Sequence, residues 1–220
     1  MIHPCTELRF IDNEIGYGVV ATEPIPRGTM TWVLDKLDRE FTPLELSQFE
    51  EPYQQILRKY CFRNNAGRFI LCWDNGRYVN HSFRSNCLST AYDFELAVRD
   101  ILPGEELTDD YGYLNLTERF RGADEGCRRR YVHPDDLPKY HRVWDKKLLT
   151  AFKRLPLVDQ PLRELLPPST WETCLRIAEG KEEMASILDI YFDPNKAESE
   201  VAQPSSPPLP NAPRARLRKR

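Results

Sequence analysis

The chain has 220 residues, 40% of them hydrophobic and 30% charged, with a net charge of -3. That size allows one substantial core or two small ones, and no apolar run approaches the ~20 residues needed to cross a bilayer. The charge balance excludes a general attraction to nucleic acid; only the end is basic, with Arg214, Arg216, Arg218, Lys219 and Arg220 close together.

The stretch Met1 to Glu7 has neither the basic segment nor the apolar core of a secretory signal, which predicts an intracellular protein, cytoplasmic or nuclear. Six cysteines, at 5, 61, 72, 87, 127 and 174, include no CxxC or CxC pair. Reduced thiols are therefore expected, rather than a disulfide framework or a four-cysteine zinc site.

Leu8 to Val20 is rich in β-branched and aromatic residues, and Gly16 and Gly18 punctuate it as a hairpin. Pro24 to Gly28 reads as a turn before a strand from Thr29 to Leu34. Thr42 with Glu45 makes a capping box, and Pro43 suits the first helical position, so a helix starts at Thr42. Glu51-Pro52 interrupts it, and Tyr53, Ile56, Leu57 and Tyr60 mark a second helix. Phe69 to Trp73 is a short strand closed by Asp74-Asn75-Gly76, and Ala91 to Asp100 is another, with Phe94, Leu96 and Val98 on one face. A last strand begins at Leu107 and runs through Tyr113.

Beyond residue 116 the pattern turns helical. Tyr140, Val143, Trp144, Leu148 and Phe152 recur at helical spacing up to Leu155, a further helix starts at Ser169-Thr170, and after Gly180 it continues from Lys181 to Phe192. From Pro194 the chain is Pro-rich, poor in large apolar groups and basic at its end, which predicts a disordered tail.

Three blocks carry chemistry: Gly16-Tyr17-Gly18-Val19, Arg77-Tyr78-Val79-Asn80-His81-Ser82-Phe83-Arg84-Ser85-Asn86-Cys87, and Gly104-Glu105-Glu106-Leu107-Thr108-Asp109-Asp110-Tyr111-Gly112-Tyr113. Each alone has an ordinary structural reading: a hairpin turn, a hydrogen-bonded Asn-His turn and a tyrosine on a closing strand. Together, in this order and spacing, they resemble the SET-domain protein-lysine methyltransferases from about residue 6 to residue 115. The resemblance implies a mainly β fold of several small sheets with α additions, a helical insertion over 41–66 and a final strand threaded beneath a loop as a pseudoknot. It divides the chain into a catalytic domain at 1–115, a helical extension at 116–193 that closes the site, and the tail at 194–220.

The implied cofactor is S-adenosylmethionine, its methionine part on Gly16, Tyr17 and Gly18, and its amino group and adenine held by Asn80 and His81. Tyr17 stands where many relatives have tryptophan. Tyr111 matches the tyrosine whose hydroxyl lies beside the transferring methyl, also touching the cofactor, and Tyr113, on the same side of an extended strand, would line the lysine channel. The implied partner is a protein that presents a lysine, with weak nucleic-acid contact through the basic tail. Desolvation in an aromatic channel would help an amine of pKa ~10.4 lose its proton.

The match has departures. Asp109 occupies a position where phenylalanine or tyrosine is usual and where that choice influences how many methyls are added; it reads either as an acidic contact for a cationic substrate or as an outward-facing strand residue. Glu105-Glu106 reads as a solvated turn. Leu114 to Val132 has only Cys127 where relatives carry zinc-binding cysteines, so no metal is expected, and the stripe Tyr140, Trp144, Phe152 is the candidate closure. Arg128-Arg129-Arg130 reads as a solvated face or docking site. The alternatives are a catalytically silent scaffold or reader on the same fold, and a metal-dependent hydrolase using His81, Asp109 and Asp110.

Overall fold

The computed structural model describes residues 1–194. The Pro-rich basic tail expected from residue 194 lies, apart from Pro194, outside the described residues. Strand β1 (Thr6–Asp12) and strand β2 (Gly16–Ala21) form the expected antiparallel hairpin. It closes at Gly16, whose φ of 85° is a left-handed conformation that costs glycine little.

Strand β3 (Met30–Val33) follows the Pro24–Gly28 turn, and β4 (Arg39–Phe41) leads into the helical insertion. Helix α1 (Pro43–Gln48) starts at a reciprocal cap. Thr42 Oγ1 accepts from the Glu45 amide at 3.1 Å, and the Glu45 carboxylate accepts from the Thr42 amide at 2.7 Å. Helix α2 (Glu51–Tyr60) includes Pro52 in its first turn, where a missing N–H costs nothing. Of its predicted apolar face, Leu57 is buried while Tyr53 and Ile56 are exposed.

Strands β5 (Cys61–Arg63) and β6 (Phe69–Leu71) join β4 in the order β4-β6-β5. A 3-10 turn at Asn75–Tyr78 precedes β7 (Asn80–His81), β8 (Cys87–Ser89) and β9 (Phe94–Ala97). Strand β9 is central in the sheet β3-β9-β8 and buried on both faces.

Strand β10 (Thr108–Asp109) pairs in parallel with β7, Thr108 opposite Asn80 and Asp109 opposite His81. Two residues per strand make a weak ladder, so side chains must fasten it. Asn86, fully buried, donates from Nδ2 to the Glu106 carbonyl and accepts at Oδ1 from the Thr108 amide, both at 2.8 Å. An asparagine can do this because its amide carries both a donor and an acceptor. The loop after β7 is thereby tied to the last strand, with Ser82 N–H donating to Asp109 O at 2.8 Å.

Beyond β10 the structure departs from the extended strand expected through Tyr113. Asp110 accepts from the Gly112 amide at 3.1 Å and turns Tyr111–Tyr113 into a 3-10 turn. Tyr113 consequently points into the core against Trp144, with ring centroids 5.6 Å apart. A short hairpin of β11 (Phe120–Arg121) and β12 (Tyr131–Val132) leads to α3 (Asp136–Phe152) and α4 (Pro168–Ala178). The helix predicted from Lys181 to Phe192 is replaced by a 3-10 turn at Ile187–Ile190. Gly180, at φ 72°, lies just past the end of α4, and the Ile187 amide and Ser186 hydroxyl donate to Asp145 of α3 at 2.8 and 2.7 Å instead of continuing a helical ladder.

The C-terminal helices are not an appendage. Trp144, Leu148 and Phe152 share one core cluster with Met30, Leu88, Phe94, Leu96 and Tyr113. Burying such side chains contributes about 1.5–3 kcal/mol each. A smaller cluster, including Val19, Ile25, Val79 and Leu107, lies under the first hairpin.

Arg129 is a second fastening, not the solvated residue that three consecutive arginines suggested. Its guanidinium bridges Asp110 and Asp136, at 2.6 Å to the latter, and lies over the rings of Tyr140 and Phe83 at 4.6 and 4.8 Å. Both aspartate side chains are 2% exposed. A Cβ on Gly112 would come within 2.9 Å of Asp136 Cβ and 3.0 Å of Arg129 Nη2, so the clasp requires glycine there. It joins the end of the β10 segment to α3 in the region where zinc-binding cysteines occur in the resembling family.

Two stability measurements check these fastenings. Asn86→Ala leaves a buried carbonyl and amide unpaired and is expected to lower unfolding free energy by about 2–4 kcal/mol in urea titrations. Arg129→Met strands two buried carboxylates and is expected to cost about 3–5 kcal/mol, with much of the loss recovered when Asp110→Asn and Asp136→Asn are added.

Candidate functional site

The parallel β7-β10 pair brings the three sequence blocks together. Gly18 of β2 packs so closely on its neighbours that a Cβ there would lie 2.2 Å from Glu106 Oε1 and 3.0 Å from Asn80 Nδ2. Asn80 donates from Nδ2 to Glu106 Oε1 at 2.6 Å and to the Tyr17 carbonyl at 3.0 Å. Glu106 is therefore a structural ligand of Asn80 and not the solvated turn residue predicted; burial raises its pKa, and the Asn80 hydrogen bond opposes this. Tyr17 is half exposed, edge-on to Phe10 and Tyr78. A Cβ added at Gly16 would meet nothing within 4 Å.

His81 accepts at Nδ1 from the Tyr111 amide at 3.2 Å, which leaves the ring proton on Nε2. Nε2 is buried and has no hydrogen-bond partner. Phe83 and Phe120 pack edge-on to the ring at 4.5 and 5.3 Å, and Tyr111 lies tilted at 5.5 Å. Burial lowers the imidazole pKa, with Asp110 and Glu125 opposing, so the ring is neutral near pH 7.

The Tyr111 hydroxyl donates to the Val79 carbonyl at 2.6 Å. Burial, reinforced by Asp109, Glu106 and Glu95, pushes its pKa well up, so it is a neutral dipole across the physiological range. Tyr111 also lines a cavity of about 360 Å³, walled by the aromatic residues Trp32, Tyr60, Phe62 and Phe120. Asp109 and Glu95 line the same cavity. Tyr113 does not, because the 3-10 turn directs it into the core; its predicted place in a channel is corrected accordingly.

None of the α3 stripe lines the cavity either, which corrects the expected closure by Tyr140, Trp144 and Phe152. The covering part is the segment before α3. Leu114, Leu116 and Phe120 contribute to the cavity wall, a Cβ on Gly122 would meet Phe83 at 2.7 Å, and Glu125 accepts from the Ser82 hydroxyl at 3.0 Å and the Arg84 amide at 3.1 Å.

Asp109 is only 6% exposed, which removes the outward-facing reading. Burial, with Asp110 nearby, pushes its carboxyl up to about 6, while Tyr113 and Glu95 act in the opposite direction. Neither Asp109 Oδ1 nor the Tyr113 hydroxyl makes a hydrogen bond of ordinary geometry. Glu95 is pushed well above the carboxylate range by burial and then by the Asp109 charge; its Oε1 accepts from Ser89 Oγ at 3.0 Å. Sequence reading passed over Glu95 because Phe94, Leu96 and Val98 suggested a strand with one wet face. The signal available was a carboxylate in a short strand set between apolar strands.

A raised carboxyl pKa has a definite stability consequence. The folded state holds the proton more tightly than the unfolded chain, so the contribution is present below the unfolded value and lost as pH rises through about 6. Asp109→Asn removes this loss. Its melting temperature is expected to exceed that of the unchanged protein above neutral pH, by an amount equivalent to roughly 2–3 kcal/mol, and to converge with it near pH ~4 in paired thermal melts.

Comparison with known proteins gives the following. A family model, the SET domain, matches residues 16–112. No curated protein matches the chain. Among solved structures, a crystal structure of a Plasmodium falciparum protein assigned as a histone methyltransferase is similar at 15% identity and a TM-score of 0.38, covering 50% of this chain and 95% of that one. The matched span begins at the hairpin glycine and ends in the 3-10 turn after β10, so it contains the Asn80-His81 pair, the Asn86 fastening and Tyr111. Over residues 16–112 this chain is similar to the SET domain.

Proposed function

We propose that the chain transfers a methyl group from S-adenosylmethionine to the side-chain amine of a lysine in a protein. The observation that carries this reading is the Tyr111 amide to His81 Nδ1 hydrogen bond, which joins the block suited to the cofactor to the tyrosine that also lines the aromatic cavity.

The residues fit the cofactor on one count: His81 Nε2–H is a buried donor without a protein partner. When bound, the sulfonium supplies an electrophilic methyl group. His81 and Asn80 would hold the cofactor's polar groups, with the Gly16–Gly18 backbone against its methionine part. Phe120, on the segment that covers His81, would keep water out.

Tyr111 acts by position. Its proton is directed at the Val79 carbonyl, so the hydroxyl oxygen can accept from an amine N–H and orient the nitrogen lone pair. Because its pKa is high, it is not a general base at neutral pH. Trp32, Tyr60 and Phe62 would flank the lysine methylenes and favour the neutral amine by desolvation.

Tyr111→Phe is expected to reduce transfer of labelled methyl to proteins by about 10²–10³-fold, with S-adenosylhomocysteine affinity by calorimetry nearly unchanged. Full transfer by this variant would contradict the role of the hydroxyl.

A further inference from the structure

We propose that Asp109 and Glu95 form a seat for the substrate's ammonium group and that Asp109 takes up its proton, an inference that rests on the methyltransferase reading. The cavity that contains Tyr111 has an aromatic wall, and these two carboxyl groups, which interact with each other, both line it. Two of its buried polar groups have no protein partner: Asp109 Oδ1 and Trp32 Nε1, on residues 6% and 7% exposed. Unpartnered polar atoms on one cavity wall belong to ligand sites more than to packed cores. Of the two carboxyl groups, Glu95 accepts from Ser89, whereas Asp109 Oδ1 makes no hydrogen bond of ordinary geometry, its neighbours being Glu95 and Tyr113.

An aromatic wall with a carboxylate matches a primary ammonium on an alkyl stem. The stem is apolar, the cationic head is attracted by ring faces, and the carboxylate accepts its N–H bonds. Two buried carboxyl groups on one wall oppose each other's ionisation, and an ammonium between them offsets the charge that either carries. The step is a proton transfer: an N–H bond of the ammonium breaks, an O–H bond forms at Asp109 Oδ1, and the electron pair left on nitrogen becomes the nucleophile. The proton returns to solvent after the product leaves. An aromatic residue at this position could orient the amine but not remove its charge.

The groups around Asp109 come from several elements. Asp109 faces Glu95 from β9 and Tyr113 and Cys87 from the buried side, with Asp110 and Tyr111 beside it in the chain. Burial pushes the Tyr113 and Cys87 groups well up, and lowers His81, which is paired with Asp109 across the strands. The amino terminus acts on Glu95, and Glu95 in turn helps to raise the Cys72 thiol, which burial raises most. Arg58 and Lys59 of α2 and Arg77 complete the charged lining of the cavity.

The test has two arms on the full chain. In the first, n-butylammonium chloride is compared with sodium chloride at matched ionic strength, with no cofactor, by thermal melting at about pH 8. It is expected to raise the melting temperature of the unchanged protein and not that of Asp109→Asn. In the second, transfer of labelled methyl to lysate proteins is followed against pH. Asp109→Asn is expected to lose roughly 10²-fold at neutral pH and to regain about tenfold per pH unit towards the lysine pKa, while still binding S-adenosylhomocysteine. Wild-type rate and pH dependence in Asp109→Asn, or no Asp109-dependent butylammonium shift, would overturn the seat. A shift without any transfer by the unchanged protein would support the ammonium site and overturn the methyltransferase reading.

Discussion

Everything at the site depends on two pairs of residues, Thr108-Asp109 beside Asn80-His81, and on the asparagine that keeps them there. So short a parallel ladder has too few hydrogen bonds to persist by itself. Asn86 substitutes a side-chain amide for the missing backbone partners, bonding the carbonyl of Glu106 and the amide of Thr108 at 2.8 Å each. Once β10 is fixed beside β7, the next residue but one, Tyr111, necessarily meets His81, and Glu106 on the other side meets Asn80. One constraint therefore places both the Asn80-His81 pair and the groups that line the cavity.

The second constraint lies at the end of the domain. Asp110 is held by Arg129 and also caps the turn that follows it, so one carboxylate positions Tyr111 and directs Tyr113 away from the cavity. The helices behind it contribute core rather than lid: Trp144 and Phe152 pack against Tyr113 and Phe94. The cover over His81 is the short segment that carries Phe120, Gly122 and Glu125. An ion triad stacked on aromatic rings thus performs here, by charge and packing, a tethering task that does not need cysteines.

Much of this was legible in the sequence. The capping box at Thr42 and Glu45 announced α1 because its signal is local, and the Gly16 hairpin was legible for the same reason. The order of the three blocks pointed to the SET domain, whose family model matches residues 16–112. What could not be read depends on contacts distant in sequence. Tyr113 was misplaced because strand periodicity says nothing of a side-chain cap from Asp110 that bends the backbone. Glu95 was missed because its burial depends on β3 and β8 flanking its strand. Arg129 resembled its two neighbours until Asp110 and Asp136 were brought to it. The helix expected from Lys181 to Phe192 failed for a similar reason, since Asp145 of another helix takes its hydrogen bonds.

The site also carries a tension between stability and chemistry. Two buried carboxyl groups on one cavity wall oppose folding as pH rises, whereas an aromatic pair would not. The account is tested most directly by mass spectrometry of lysate proteins incubated with the chain and S-adenosylmethionine bearing an isotopically labelled methyl group. It predicts the label on lysine side-chain nitrogens of one or a few proteins. Label on another residue type, or none from a protein that binds S-adenosylhomocysteine, would contradict it.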